Sequence, residues 1–309
     1  MTLTSDIPLI RLADGDPWSI LMLRTGTTVA AALIIWFIWR LVRGNAPALI
    51  PGRAGLIVAA LYAVSSVTFI MAVYNTTTAD LVFLLAFNTV FAALLSWLFL
   101  NERPRPATLI AMTMMLTGML IIVYDGIGTG NLVGDLFALA SAFMLATAIT
   151  ISRATGKDMG FTSLVALSLP FVISVFMVAK TGYRVEAPGW ILFNGAVIMP
   201  ISFFCLATGP KYISGPEVAM FYLLETVLAP VWVWMIFAEV PTAASMTGGA
   251  ILIVTLIAHS LWQLRDGRRR RAALAVRHPA SAKRRGVPAI SISAARRVRA
   301  ATPCARNWG

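Results

Sequence analysis

Glu225 sits inside an apolar run, with Leu223 and Leu224 before it and Val227 and Leu228 after it. An acid at the centre of a membrane helix costs about 2.5–3.5 kcal/mol, so it should face a bundle interior or a wet cavity. A carboxyl there can exchange a proton or hold a ligand; equally, it can clamp a neighbouring helix by a hydrogen bond. Tyr222 and Trp232 stand three residues before and seven after it, on the same helical face. That stripe can stack on an organic molecule or simply pack. Asn88 occupies the equivalent depth of another apolar run; it can donate and accept but not titrate, which suits either a ligand contact or helix packing. Arg24 lies a turn or two inside the first long apolar run and stays charged at any usable pH, so it can attract an anionic group or snorkel to the interface. Tyr62, Ser65, Ser66, Asn194 and Ser202 are further polar groups that could line a cavity or bond within their own helices.

The elements that must position these residues repeat. The stretch Asn88–Pro104, NTVFAALLSWLFLNERP, returns as ETVLAPVWVWMIFAEVP from Glu225 to Pro241, ungapped and at a constant offset of 137 residues. It pairs Asn88 with Glu225, Trp97 with Trp234 and Glu102 with Glu239. Trp97 and Trp234 read as interfacial anchors and the two Glu-x-Pro corners as span ends. Of the chain's 309 residues 59% are hydrophobic and 12% charged, and the mean hydropathy of +0.81 excludes a soluble domain. Lipid tolerates that surface provided backbone groups are bonded internally, as in helices. A span needs roughly 20 apolar residues. Breaks at charges, Pro and Gly leave nine, near 18–39, 54–74, 80–100, 107–124, 132–152, 161–179, 189–208, 217–238 and 244–264. The loops with Arg40, Arg43, Arg53, Arg103, Arg105, Arg153, Lys157, Lys211 and Arg268–Arg271 alternate with loops rich in Asp80, Asp125, Asp135, Glu186 and Glu239. The positive-inside rule makes the first set, and the C-terminus, cytoplasmic.

The net charge of +12 lies wholly in the tail, because Arg265–Gly309 has thirteen basic residues and one acid while the preceding chain has twelve of each. That tail lacks a folded module with aromatic support, so we expect attraction to anionic lipid and no nucleic-acid partner. Cys205 and Cys304 do not make a disulfide framework, and the lone His259 makes no metal site. No His-Glu-x-x-His or Gly-x-Ser-x-Gly string occurs, so no catalytic residues, metal or cofactor are expected and the chain reads as a non-enzyme.

The second half opens with the span near 132–152, whose repeat counterpart would fall mostly before Met1. Ile10-Arg11 ahead of Asp14, Asp16 and Pro17 looks like the end of a helix and its exit loop. We therefore expect an upstream start with a tenth helix, or else a truncated chain.

Two such halves, the run ending Leu100-Asn101-Glu102-Arg103-Pro104 and its echo Ala238-Glu239-Val240-Pro241 resemble the drug/metabolite transporter superfamily in its EamA-domain branch. Asp16-Pro17-Trp18 leading to Arg24, and Gly134-Asp135-Leu136, add to the resemblance, which covers roughly 17–265. It implies an all-α integral membrane fold of two inverted five-helix repeats, with the first helix missing here so that nine spans are visible. The expected domains are a first repeat at 1–126, a second at 127–265 and a basic, disordered cytoplasmic tail at 266–309. The implied function is secondary transport of small metabolites or drug-like molecules by alternating access, proton-coupled through Glu225, with Asn88, Tyr222, Trp232 and Arg24 as further site candidates. A truncated or non-transporting membrane subunit is the alternative, ahead of a channel or an intramembrane enzyme. The expected setting is the bacterial inner membrane, with a small-molecule substrate and membrane lipid as partners and a homodimer left open.

Overall fold

The computed structural model describes residues 5–44, 48–101, 103–156, 159–202, 235–236 and 241–277. Regular structure among them is helical apart from one antiparallel bridge between Gly15 and Val185. A short helix, α1 (Asp6–Leu12), turns through residues 13–16 into α2 (Pro17–Arg43). Then follow α3 (Gly52–Asn75), α4 (Thr78–Ala86), α5 (Asn88–Leu100), α6 (Pro106–Thr129), α7 (Leu132–Thr155), α8 (Gly160–Val165), α9 (Ser168–Thr181) and α10 (Pro188–Phe193). A π-helical turn, Asn194–Ile198, continues α10, and α11 (Ala243–Arg277) is the last described helix.

Local chemistry sets these boundaries. Pro17, Pro106 and Pro188 open their helices, where a missing N–H costs nothing. Asp16 caps α2 by accepting from the Trp18 amide at 3.1 Å, and Thr77 caps α4 by accepting from the Asp80 amide at 3.2 Å. Gly130, at φ 82°, closes α6 in the left-handed region that glycine adopts without strain.

Seven helices among the described residues are long and apolar enough to cross a membrane: Pro17–Val42, Gly52–Asn75, Thr78–Leu100, Pro106–Thr129, Leu132–Thr155, Gly160–Thr181 and Ala243–Gln263. Pro188–Ser202 is a shorter apolar helix, and most of the expected span 217–238 lies outside the described residues. Glu102 and Glu239 lie outside them too, whereas Trp97 is exposed on α5.

Two spans are broken in ways that periodicity alone does not announce. Between α8 and α9, Pro170 cannot donate to the Ala166 carbonyl, which instead accepts from Leu169. Between α4 and α5 there is no Pro or Gly. Phe87 bonds back to Leu84 in a tightened turn, and the Thr89 hydroxyl donates to the Ala86 carbonyl at 3.0 Å across this interruption just before Asn88.

Packing among the helices mixes apolar and polar contacts. Ile20, Leu21, Ile70, Leu81, Leu84, Ile122, Ile191 and Leu252 are fully buried. Ser65 of α3 and Ser141 of α7 donate reciprocally to each other's carbonyls at 3.1 and 3.0 Å, a cross-helix role distinct from both cavity lining and own-helix bonding. Small residues permit the closest approaches. A Cβ on Gly118 of α6 would stand 2.8 Å from the Gly248 carbonyl of α11, and one on Gly248 would stand 2.7 Å from the Gly118 carbonyl. The outer surface stays apolar, as at Ile34, Phe37, Leu98 and Phe99, which suits lipid.

The part of α11 from Ala258 onward belongs to a second unit. There His259 stacks on Trp262 with ring centroids 5.9 Å apart, and its Nε2 is 2.9 Å from Gln263 Nε2.

The Gly118–Gly248 contact yields a prediction. Gly118→Leu and Gly248→Leu should each lower stability by about 1–3 kcal/mol through overpacking, read as thermal unfolding of the purified protein in detergent. Gly128→Ala, on the same helix with open space around it, should leave stability unchanged or raise it by up to about 1 kcal/mol; equal losses for all three would refute the packing account.

Candidate functional site

The turns at 13–16, 76–77, 130–131 and 182–187 and the start of α11 share one end of the helix array, because successive spans alternate in direction. Two of these turns pair directly. Asp16 N donates to Arg184 O at 3.0 Å, Glu186 N to Asp14 O at 2.8 Å and Ala187 N to Ala13 O at 3.1 Å, on either side of the Gly15–Val185 bridge. This clasp fixes the start of α2 beside the start of α10. At the same end, Arg11 donates to the Val73 and Thr76 carbonyls, tying α1 to the end of α3.

A charged cluster lies below the clasp. Asp6 and Arg24 each stand nine residues from Gly15, and Asn194 stands six residues into the helix that begins at Pro188. At about 1.5 Å per helical residue all three reach roughly 10 Å from the turns. There they meet. Arg24 Nη2 donates to Asp6 Oδ2 at 2.8 Å and Nε to Oδ1 at 3.3 Å, a two-pronged ion pair. Asn194 Nδ2 donates to Asp6 Oδ1 at 2.8 Å and to the Asp6 carbonyl at 3.4 Å. Arg24 Nη2 also reaches Met199 Sδ at 3.3 Å, and the guanidinium lies 5.3 Å from the Phe69 ring centroid.

Burial gives these contacts their weight. Relative exposure is 5% for Asp6, 3% for Arg24 and 0% for Asn194. The π-helical turn brings its backbone against α2, where Thr28 donates to the Gly195 carbonyl at 2.9 Å as well as to Arg24 O at 2.7 Å. A Cβ on Gly195 would collide with Thr27 and the Arg24 backbone, so this approach requires glycine.

A second polar group occupies the turns. Thr76 donates to Asp135 Oδ1 at 2.5 Å, Thr77 to Asp80 Oδ2 at 2.8 Å and Thr242 to Asp125 Oδ2 at 2.6 Å. A Cβ on Gly134 would strike the Asn75–Thr76 peptide, so the Gly134-Asp135 pair lets α7 approach the end of α3 and deliver its carboxylate to Thr76. These bonds join side chains at the helix ends; no group of three or more His, Cys, Asp or Glu among the described residues is arranged to hold a metal ion.

Of the residues singled out from the sequence, Arg24 and Asn194 converge on Asp6. Asn88 begins α5 at the break, and its Oδ1 is buried without a hydrogen-bond partner among the described residues. It shares no described hydrogen bond with the Arg24 cluster. Glu225, Tyr222 and Trp232 lie outside the described residues. Sequence reasoning missed Asp6. Its signal was symmetry, an acid and a base equidistant from Gly15 in a helix-turn-helix.

The ion pair predicts a double-mutant cycle. Arg24→Gln leaves a buried carboxylate unpaired and should cost about 3–5 kcal/mol of stability, whereas Asp6→Asn combined with Arg24→Gln should recover most of it. Thermal unfolding of the purified variants reads the cycle, and additive losses would show that the two groups do not interact.

Residues 7–124 match the sequence model of the EamA-like transporter family. No curated protein matches the chain. A solved structure titled only "Crystal structure of protein" is similar at a TM-score of 0.60 and 18% identity, over 85% of this chain and 98% of that one. At that identity the likeness concerns the fold alone. The family match runs from Ile7 in α1 to Tyr124 in α6 and includes Arg24 but neither Asp6 nor Asn194, and the apolar helices continue beyond it. Residues 7–124 are thus similar to the EamA-like transporter family, and the seven long apolar helices are those of a multi-pass membrane protein.

Proposed function

We propose that the chain is a secondary transporter of small metabolites or drug-like molecules, working by alternating access. The observation that carries this reading is the Asp6–Arg24–Asn194 cluster, polar and buried among apolar helices, with Arg24 inside the stretch that matches the EamA-like family. Intramembrane charge is costly and is characteristic of substrate or ion pathways. Two inverted five-helix repeats, expected from the 137-residue echo, place a substrate cavity between halves that rock about it. The α4–α5 break supports that arrangement. Broken helices in transporters present backbone ends and side chains to the substrate, and Asn88 starts the second segment of this one.

In this reading Arg24 orients an anionic part of the substrate, Asn88 contributes a polar contact, and Tyr222 and Trp232 stack on its apolar part. Glu225 takes up and releases a proton, biasing the inward and outward states. The clasp between the 13–16 and 182–187 turns joins the segments that must separate for the cavity to open at that end. The loop charges support a reading in which that end faces out of a bacterial inner membrane and the C-terminus lies in the cytoplasm. The basic tail then lies near anionic lipid.

Counter-flow in proteoliposomes, with a mixed pool of labelled amino acids and other metabolites, tests the function. Saturable exchange above protein-free vesicles is expected, and conductance without saturation would indicate a channel instead. Glu225→Gln should abolish the dependence of uptake on an imposed pH gradient while leaving exchange at equal pH measurable. Uptake by a folded, inserted Glu225→Gln protein with unchanged pH dependence would remove the proton role from this residue.

A further inference from the structure

We infer that Asp6 is an internal stand-in for a substrate carboxylate: a small organic carboxylate replaces it on Arg24, and Asp6 takes up one proton as it is displaced. This rests on the transporter reading above and adds a substrate class and a second proton site.

The geometry of the pair is the first support. Arg24 presents Nε and Nη2 to both oxygens of one carboxylate, the fork arrangement by which arginine recognises any carboxylate. The site is therefore already shaped for that group. Its present occupant sits on α1, a seven-residue helix, whereas Arg24 sits in the long α2.

Charge is the second. If an incoming carboxylate takes the guanidinium, an ionised Asp6 would be left buried and unpaired, which is prohibitive. A proton on Asp6 removes the conflict. The balance is simple: one anion and one proton enter, Arg24 keeps its charge and a carboxylate partner, and the site's net charge does not change. Among the described residues around the pair, no other group is placed to take that proton or to replace Arg24. The Pro188–Ser202 segment has no titratable side chain, α3 offers Phe69 to Arg24, and Arg11 on α1 itself is engaged with the Val73 and Thr76 carbonyls.

Asn194 is the third. Its Nδ2 donates to the Asp6 carboxylate, while its Oδ1 is buried without a hydrogen-bond partner among the described residues. An amide can serve both protonation states of a neighbouring acid: it donates to the carboxylate, and after a half-turn of the side-chain amide its oxygen accepts from the carboxylic O–H. A purely structural clamp on an ionised aspartate needs only the donor. The adjoining π-helical turn gives Asn194 this position beside α1.

The test uses the full-length protein in lipid nanodiscs, with acetate and benzoate as probes and acetamide and benzamide as neutral controls. Binding is read by ligand-induced thermal stabilisation. In the wild type the carboxylates, and not the amides, should stabilise. Their apparent affinity should fall about tenfold from pH 6 to pH 7, the slope for one proton taken up per anion. Asp6→Asn should bind carboxylate at least as tightly with no pH slope, and Asp6→Asn combined with Arg24→Gln should lose carboxylate binding while remaining folded. If Asp6→Asn alone does not fold, Asn194→Leu serves: removal of the acceptor for the protonated acid should weaken carboxylate binding tenfold or more at pH 6. No discrimination between carboxylates and amides in the wild type, or an unchanged pH slope in Asp6→Asn, would overturn the inference. Counter-flow of neutral or cationic solutes by the double variant at wild-type rate would overturn it while leaving the transporter reading intact; loss of all counter-flow in the wild type would instead defeat that reading.

Discussion

A guanidinium buried among membrane helices has few ways to exist, and this constraint organises one end of the protein. Arg24 keeps its charge, so the fold must supply an anion at its depth. Asp6 can be that anion only because α1 runs antiparallel to α2 across a short turn, which sets both residues nine positions from Gly15. Asn194 can complete the cluster only because the clasp between the 13–16 and 182–187 turns holds α10 beside α2 and because Gly195 lets the π-helical turn touch the Arg24 backbone. Local turn chemistry thus supports an electrostatic arrangement some two helical turns away.

The rest of the packing follows the logic of a helix bundle in lipid. Because the surroundings of the bundle are as apolar as its core, burial of Leu or Ile alone does not select neighbours; close backbone approach and interhelical hydrogen bonds do. The reciprocal Ser65–Ser141 pair joins α3 to α7, and the Gly118–Gly248 contact joins α6 to α11. At the turns Thr77 and Thr242 accept from the Asp80 and Ser245 amides, which would otherwise remain unsatisfied, and threonine–aspartate bonds link the ends of neighbouring helices.

The helical membrane class was legible because it depends on composition and run length, which the sequence displays directly. The resemblance to the EamA-like family was legible through the Asn88–Pro104 stretch, which lies inside the matched residues. The breaks were harder. Pro170 is a visible cause of one, but the interruption at Phe87 has neither Pro nor Gly, and the Thr89 hydroxyl bond beside it is a contact that many unbroken helices also make. At the site, Arg24 announced itself as an intramembrane charge, while Asp6 went unmarked because only the folded hairpin shows that it lies at Arg24's depth. Asn194 read as one polar liner among several; its distinction is its partner, which sequence spacing does not reveal.

Alternating access around this cluster requires the clasp to open, and a cross-link tests that requirement most directly. Asp14→Cys and Glu186→Cys face each other across the clasp, and in a background with Cys205 and Cys304 changed to serine they can form a disulfide across it. Counter-flow by the oxidised protein in proteoliposomes should stop and should return on reduction. Full-rate counter-flow by the demonstrably cross-linked protein would contradict the account, since solute would then be crossing without separation of the elements that close this end.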